Sequence, residues 1–76
     1  MPRRFLLIRD LDDVGVSGTG VVAEGVLSST GKVVLFWLTH YKSVGVYDSI
    51  EDCSAIHCHG GLTYIQWIDA EVLGGL

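Results

Sequence analysis

One long hairpin, predicted over residues 19–39, constrains the fold of this chain most. Its arms, residues 21–27 and 32–39, are rich in β-branched and aromatic residues and are bounded by Ser, Thr and Gly. This is the usual pattern of two strands joined by a turn. The connection, residues 28–31, is polar and ends in Gly31, which favours a type I turn followed by a left-handed residue. The sequence therefore predicts a mainly β protein.

The second arm of this hairpin is apolar on both faces, because its alternate residues are all aliphatic or aromatic. A strand of this kind is covered on two sides. A chain of 76 residues has little material for a second covering layer. Either the monomer packs both faces, or a second subunit covers one of them. For the second case we predict self-association through one face of the arm, at Trp37, Leu35 and Val33.

A short helix is predicted between the fourth and the last strand, over residues 48–57. Ser49 stands at the N-cap position, and acidic residues follow it in the first turn, where the helix dipole favours anions. Ile50, Cys53 and Ile56 recur three residues apart and are predicted to form the apolar face. The other strands are predicted at residues 4–10, 44–47 and 62–68.

Five strands, with one short helix before the last, match the order of a small SH3-like barrel. We therefore predict one five-stranded barrel domain over residues 1–76. The alternative is an antiparallel sheet with the helix on one face.

The charge of the chain narrows the range of partners. Only five Lys and Arg residues stand against nine Asp and Glu residues, for a net charge of −4. Nucleic-acid binding depends on cations that neutralise phosphates, so this composition disfavours it. An acidic surface suits a protein partner, although this charge is also ordinary for solubility. No secretory signal or membrane-spanning run is recognisable, so we expect a cytoplasmic protein without a membrane partner.

Four residues in seven positions have metal-ligand chemistry: Cys53, His57, Cys58 and His59. Cys53 and His57 lie four apart on the predicted helix and would share a side, as two zinc ligands must. Four ligands so close in sequence strain a tetrahedron, however, and Cys53 also fits a small core residue. We expect neither metal nor cofactor, with a zinc-stabilised domain using these four residues as the alternative.

The same segment offers no convincing catalytic set. Cys58, His57 and Asp48 can be written as nucleophile, base and orienting group, but adjacent residues at a helix end diverge. We expect no enzyme. A small ligand binder or an enzyme with its site at a subunit interface remains a further alternative.

Two stretches carry a resemblance to a known family. Residues 15–26, GVSGTGVVAEGV, and residues 46–61, with YDSIED, IH and HGG, resemble a family of short proteins of bacteriophages and mobile elements, in part actinobacterial. The resemblance spans about residues 6–67. The family has small or aliphatic residues where Cys53 and Cys58 stand, whereas His57 and His59 match its pattern. The resemblance implies no activity, but it implies a phage setting, in which small acidic proteins often bind and block a host protein.

Taken together, these features predict a non-enzymatic protein-interaction module that also self-associates. We predict contact with a protein partner at the rim formed by the loop at residues 10–20 and the corner at residues 57–61. The predicted contact residues are Asp12, Asp13, His57 and His59.

Overall fold

In the computed structural model of the chain, residues 1–10, 20–38, 41–58 and 60–70 are described. They form one antiparallel sheet of five strands in the order β4-β3-β2-β1-β5, with a single short helix before the last strand. The mainly β prediction is confirmed. The elements are β1 (Arg3–Arg9), β2 (Gly20–Leu27), β3 (Val33–Trp37), β4 (Val44–Tyr47), α1 (Ile50–His57) and β5 (Thr63–Trp67).

The predicted hairpin is confirmed as β2 and β3, with Leu27 opposite Val33. In the turn, Gly31 donates its backbone N–H to the Ser28 carbonyl oxygen (3.0 Å) and has a φ of +93°. The Ser28 hydroxyl also accepts the N–H of Lys32 (3.1 Å). Glycine is needed at this left-handed position because a Cβ is unfavourable there. The sequence pattern of this turn thus corresponds to its geometry.

Gly25 allows an aromatic side chain to cross the centre of the sheet. It lies opposite Phe5, which in turn lies opposite Trp67 on β5. A Cβ on Gly25 would overlap the Phe5 ring. Phe5 is fully buried and meets Trp67 edge to face, with ring centroids 5.2 Å apart. Burying a side chain of this size stabilises the fold by about 1.5–3 kcal/mol.

Helix α1 begins where the sequence predicts. The Ser49 hydroxyl accepts the backbone N–H of Asp52 (3.0 Å), which caps the first turn. Cys53 is fully buried and Ile50 packs against the core. The expectation for Ile56 is wrong: its side chain is 56% exposed, because a helix of eight residues on a sheet presents only a narrow stripe to it.

The sheet has two unlike faces. The covered face lies under α1. Its buried side chains are those of Phe5, Leu7, Ala23, Val33 and Leu35, and together with Val22 and Cys53 they form the hydrophobic core. The open face is formed by the strand residues that alternate with the core residues, and by the residue after β5. In the described part of the chain, no helix or strand covers this face. The open face includes Arg4, Leu6, Ile8, Val21, Glu24, Val26, Val34, Phe36, Val44, Val46, Tyr64, Gln66 and Ile68.

The predicted closure into an SH3-like barrel is wrong, and the alternative of an antiparallel sheet with a helix on one face is confirmed. Strands β4 and β5 lie at opposite edges of the sheet and do not pair. The connection between them, residues 48–62, crosses the covered face and contains α1. The helix therefore occupies the space into which the two edges would have to curl.

Candidate functional site

The structure describes one of the four predicted partner-contact residues. Asp12, Asp13 and His59 lie outside the described residues. His57 is at the end of α1, where it is half-buried and not presented at a rim. Most of the 10–20 loop lies outside the described residues, so contact through that loop and the 57–61 corner stays a prediction.

His57 is held between two aromatic side chains of the covered face. Its Nε2 atom lies 2.6 Å from the Tyr47 hydroxyl, and its ring centroid lies 5.0 Å from that of Trp37. Burial, and after it the positive charge of Arg9, lowers the pKa of His57. The two groups form a hydrogen bond, and its donor is set by which nitrogen of the neutral imidazole carries the proton. This His57 cluster (Trp37, Tyr47, His57) fastens the end of the helix to β3 and β4.

Gly45 makes this arrangement possible. A Cβ at Gly45 would lie 2.8 Å from the Tyr47 hydroxyl oxygen, so the phenol ring passes over the glycine. Without that passage Tyr47 would not reach the imidazole. Burial, and after it the nearby Cys53, raises the pKa of Tyr47, so the phenol is protonated at neutral pH. The chemistry of the cluster is thus that of a packed hydrogen bond.

The predicted Cys and His zinc cluster gains no support. Cys53 is fully buried, and burial followed by the neighbouring Cys58 raises the pKa of its thiol to about 11. His59, the fourth predicted ligand, lies outside the described residues. Among the residues that the structure describes, no group of three or more His, Cys, Asp or Glu side chains is placed to hold a metal ion.

The residues predicted for self-association lie on the covered face. Val33 and Leu35 are fully buried within one chain, and Trp37 packs against His57. Their side chains therefore serve the core and α1. Self-association itself stays a prediction. Val33 and Leu35 expose no surface for it in the single chain, whereas the alternate residues of β3 point to the open face.

The sequence pattern did not predict which face of the sheet would be exposed. The open face displays exposed apolar side chains on the side away from α1, with Val44 and Val46 at 61% and 68% exposure and Phe36 at 44%. Their alternation with the core residues of β3 is visible in the sequence. What identifies the covered side is the pair Gly25 and Gly45, because each makes room there for an aromatic ring.

Charged residues lie at the ends of the open face, and one more, Glu24, lies at its centre. Arg4 pairs with Asp69 (2.8 Å) and Lys32 pairs with Asp48 (2.6 Å). The hydrogen bonds from Arg4 lower the pKa of Asp69 to about 2. Glu24, on the central strand, is exposed and has no ion pair within the described part of the chain. Apolar side chains with a charged border are the usual anatomy of a protein interface.

A shallow depression crosses the open face above Gly25. It has a volume of about 270 Å³ and its lining includes Arg4, Glu24 and Phe36. The Phe5 ring requires a glycine at position 25. Because glycine has no side chain, the depression lies over this position. The depression could receive one protruding side chain of a bound protein.

A second hollow lies beside α1. It measures about 640 Å³ and lies between the helix and β5, where Ile65 and Trp67 line it with Cys58. The Arg3 guanidinium stacks on the Trp67 ring, 3.8 Å from its centroid.

Comparison with known proteins gives one match. The sequence model of the family described as Acb5 phage protein matches residues 2–69. No curated protein and no solved structure matches significantly. Among the described residues, no helix is long and apolar enough to cross a membrane.

Proposed function

We propose that this chain, which belongs to the Acb5 phage protein family, is a non-enzymatic module that binds a protein through the open face of its sheet. The observation that carries the proposal is the apolar character of this face in the described part of the chain. A soluble protein rarely exposes a contiguous apolar patch without using it for contact.

The site chemistry supports binding and gives little support to catalysis. The described cysteines are buried or partly buried, and His57 is engaged with Tyr47. A nucleophile next to a free base is the usual requirement for covalent catalysis, and these residues do not provide it. Contact area on the open face, in contrast, needs no further group.

The face suits a protein with an apolar surface of its own. At the ends of the open face, Arg4 is neutralised by Asp69 and Lys32 by Asp48. Because apolar side chains occupy most of the centre, few charges there would lose their water when a partner binds. Glu24 is the exception, and a donor or cation on the bound protein would satisfy it. Phe36, next to it across the β2–β3 pair, is the best candidate for an anchor.

Matched lysine variants test the proposal. The immobilised chain is used to capture a protein from a lysate of the phage host, and the captured protein is then purified and titrated. Phe36→Lys should weaken its binding by about tenfold or more, as the loss of an interface anchor does. Ile56→Lys, on the exposed side of α1, places the same charge on the opposite side of the molecule and should bind like the wild type. Equal binding by Phe36→Lys, or loss with Ile56→Lys alone, would sink the proposal.

A further inference from the structure

Strand β4 forms one edge of the sheet. In the described part of the chain, no strand pairs with its outer side. Edge strands are usually guarded by a Lys, a Pro or a bulge against pairing with another chain. The four residues of β4, Val44–Tyr47, contain none of these. The two valines are also among its most exposed apolar side chains, at 61% and 68%.

The backbone groups available at this edge follow from the pairing with β3. Trp37 donates its backbone N–H to the Ser43 carbonyl oxygen (2.9 Å), so Ser43 and each second residue after it face β3. Leu38 donates in the other direction, to the Val22 carbonyl oxygen on β2, as the alternation requires. The N–H and C=O groups of Val44 and Val46 therefore point to the free edge.

We propose that a second copy of this chain pairs antiparallel with β4, with Val44 of one copy opposite Val46 of the other. In this register both outward-facing residues of each copy form a hydrogen-bonded pair, giving four backbone hydrogen bonds around a two-fold axis. The side chains of the paired valines lie on one face, so the open faces of the two copies join into one surface. A ten-stranded sheet results.

Charge complementarity favours a second copy as the occupant. Counting outward from the paired valines, Lys42 of one copy lies opposite Asp48 of the other, and the two-fold axis repeats this pair. Both side chains are exposed, and one carboxylate oxygen of Asp48 binds Lys32, which leaves the other oxygen free for Lys42. Exposed pairs add little affinity, but opposite charges across strands select the register.

The size of the edge sets the expected strength. Four residues bury less than the roughly 1,200 Å² of a stable interface, so the dimer belongs to the weak, concentration-dependent class. Open-face stacking would bury more, but a two-fold axis through the sheet centre would bring the two Glu24 carboxylates together. Edge pairing keeps Glu24 apart from its copy.

Sedimentation equilibrium over a concentration series tests the pairing in solution. The wild type should dimerise with a dissociation constant in the micromolar range or weaker. Val46→Pro removes an outward N–H without breaking the ladder to β3, and it should be monomeric with an unchanged melting curve. Val46→Thr keeps the N–H and should dimerise like the wild type. Lys42→Glu places a second carboxylate opposite Asp48 at two symmetric positions, and this like-charge repulsion should weaken the dimer by about tenfold.

Cysteine cross-linking tests the register independently of Val46→Pro. In a Cys58→Ser background, Val44→Cys and Val46→Cys chains are oxidised separately and as a mixture. Cross-linking in the mixture well above that of either variant alone is expected. Strong cross-linking within one variant, no cross-linking, or a wild type that stays monomeric throughout would overturn the pairing. A dimer abolished by Phe36→Lys yet retained by Val46→Pro would also overturn it, and would leave the open face as a contact surface in place.

Discussion

At the scale of single residues, Gly25 decides whether the core can form. A Gly→Ala change inside a strand is ordinarily favourable, because glycine is the poorer strand residue. Here the added methyl group overlaps the Phe5 ring, which fills the centre of the covered face. We expect Gly25→Ala to lower the free energy of unfolding by about 1–3 kcal/mol, the usual cost of overpacking.

Urea unfolding of a double-mutant cycle checks this cause. Glu24→Ala, the neighbouring exposed position, is the control and should change stability little. Phe5→Leu shortens the side chain that meets Gly25, so in its background Gly25→Ala should cost less. Full additivity of the two changes would mean that the overlap is relieved by some other movement.

The His57 cluster makes stability depend on pH. Burial and Arg9 hold the pKa of His57 below its usual value of 6.5. The unfolded chain therefore takes up this proton first as the pH falls. The contribution of His57 is complete above pH 6.5 and decreases as the pH drops toward its lowered pKa in the folded state. Unfolding free energies at pH 7.5 and 5.5 should thus differ more for the wild type than for His57→Gln, which does not titrate. If the change in unfolding free energy between the two pH values is the same for both proteins, His57 is not the source of the pH dependence.

The Tyr47 hydroxyl is predicted to stabilise the fold through that same bond. Tyr47→Phe deletes the hydroxyl that lies 2.6 Å from His57 Nε2 and keeps the ring over Gly45. We expect a loss of about 0.5–1.5 kcal/mol in the free energy of unfolding at pH 7.5, the usual net value of one hydrogen bond. The pKa of His57, followed by NMR, should also change. An unaltered stability with an unaltered pKa would show that the bond is absent in solution.

At the scale of elements, Ser49 determines where α1 begins. Its hydroxyl is the acceptor for the N–H of Asp52, which would otherwise lack an intrahelical partner. Ser49→Ala should cost about 1 kcal/mol, and Ser49→Asp, which also caps, should restore most of it. Thermal unfolding of the three proteins measures this. If the Asp variant is as unstable as the Ala variant, capping is not what Ser49 contributes.

The elements that the sequence predicted well are those set by neighbouring residues. The turn at Gly31 and the cap at Ser49 are local devices whose chemistry can be read from a few residues. The barrel prediction was wrong because α1 packs on the face into which β4 and β5 would have to curl, and the docking of a helix is a property of the whole sheet. The strand order alone does not contain it.

The candidate site was less predictable than the fold, for a related reason. Val33 and Val34 are equivalent by pattern, and only the docking of α1 decides which of them is buried. The self-association prediction therefore chose the residues of the covered face. The His57–Tyr47 bond joins positions ten residues apart through a ring that passes over Gly45, which no spacing rule anticipates.

At the scale of the whole molecule, one helix covers one face of a five-stranded sheet and leaves the other face open in the described part of the chain. Small domains gain stability when a second layer is supplied from outside. For this phage family member, the bound protein would supply that layer over the open face, while edge pairing at β4 would double its width. The two surfaces are adjacent, so the valines of β4 belong to both.

The most direct test of the open face is a methyl NMR spectrum of the chain, recorded with and without its captured and purified partner. The account predicts that resonances of open-face valines, Val26 and Val34 among them, shift or broaden on binding. Those of Val22 and Val33, buried on the other side, should remain in place. Changes confined to α1, at Ile50 and Ile56, would contradict the account and place the contact on the helix side of the molecule.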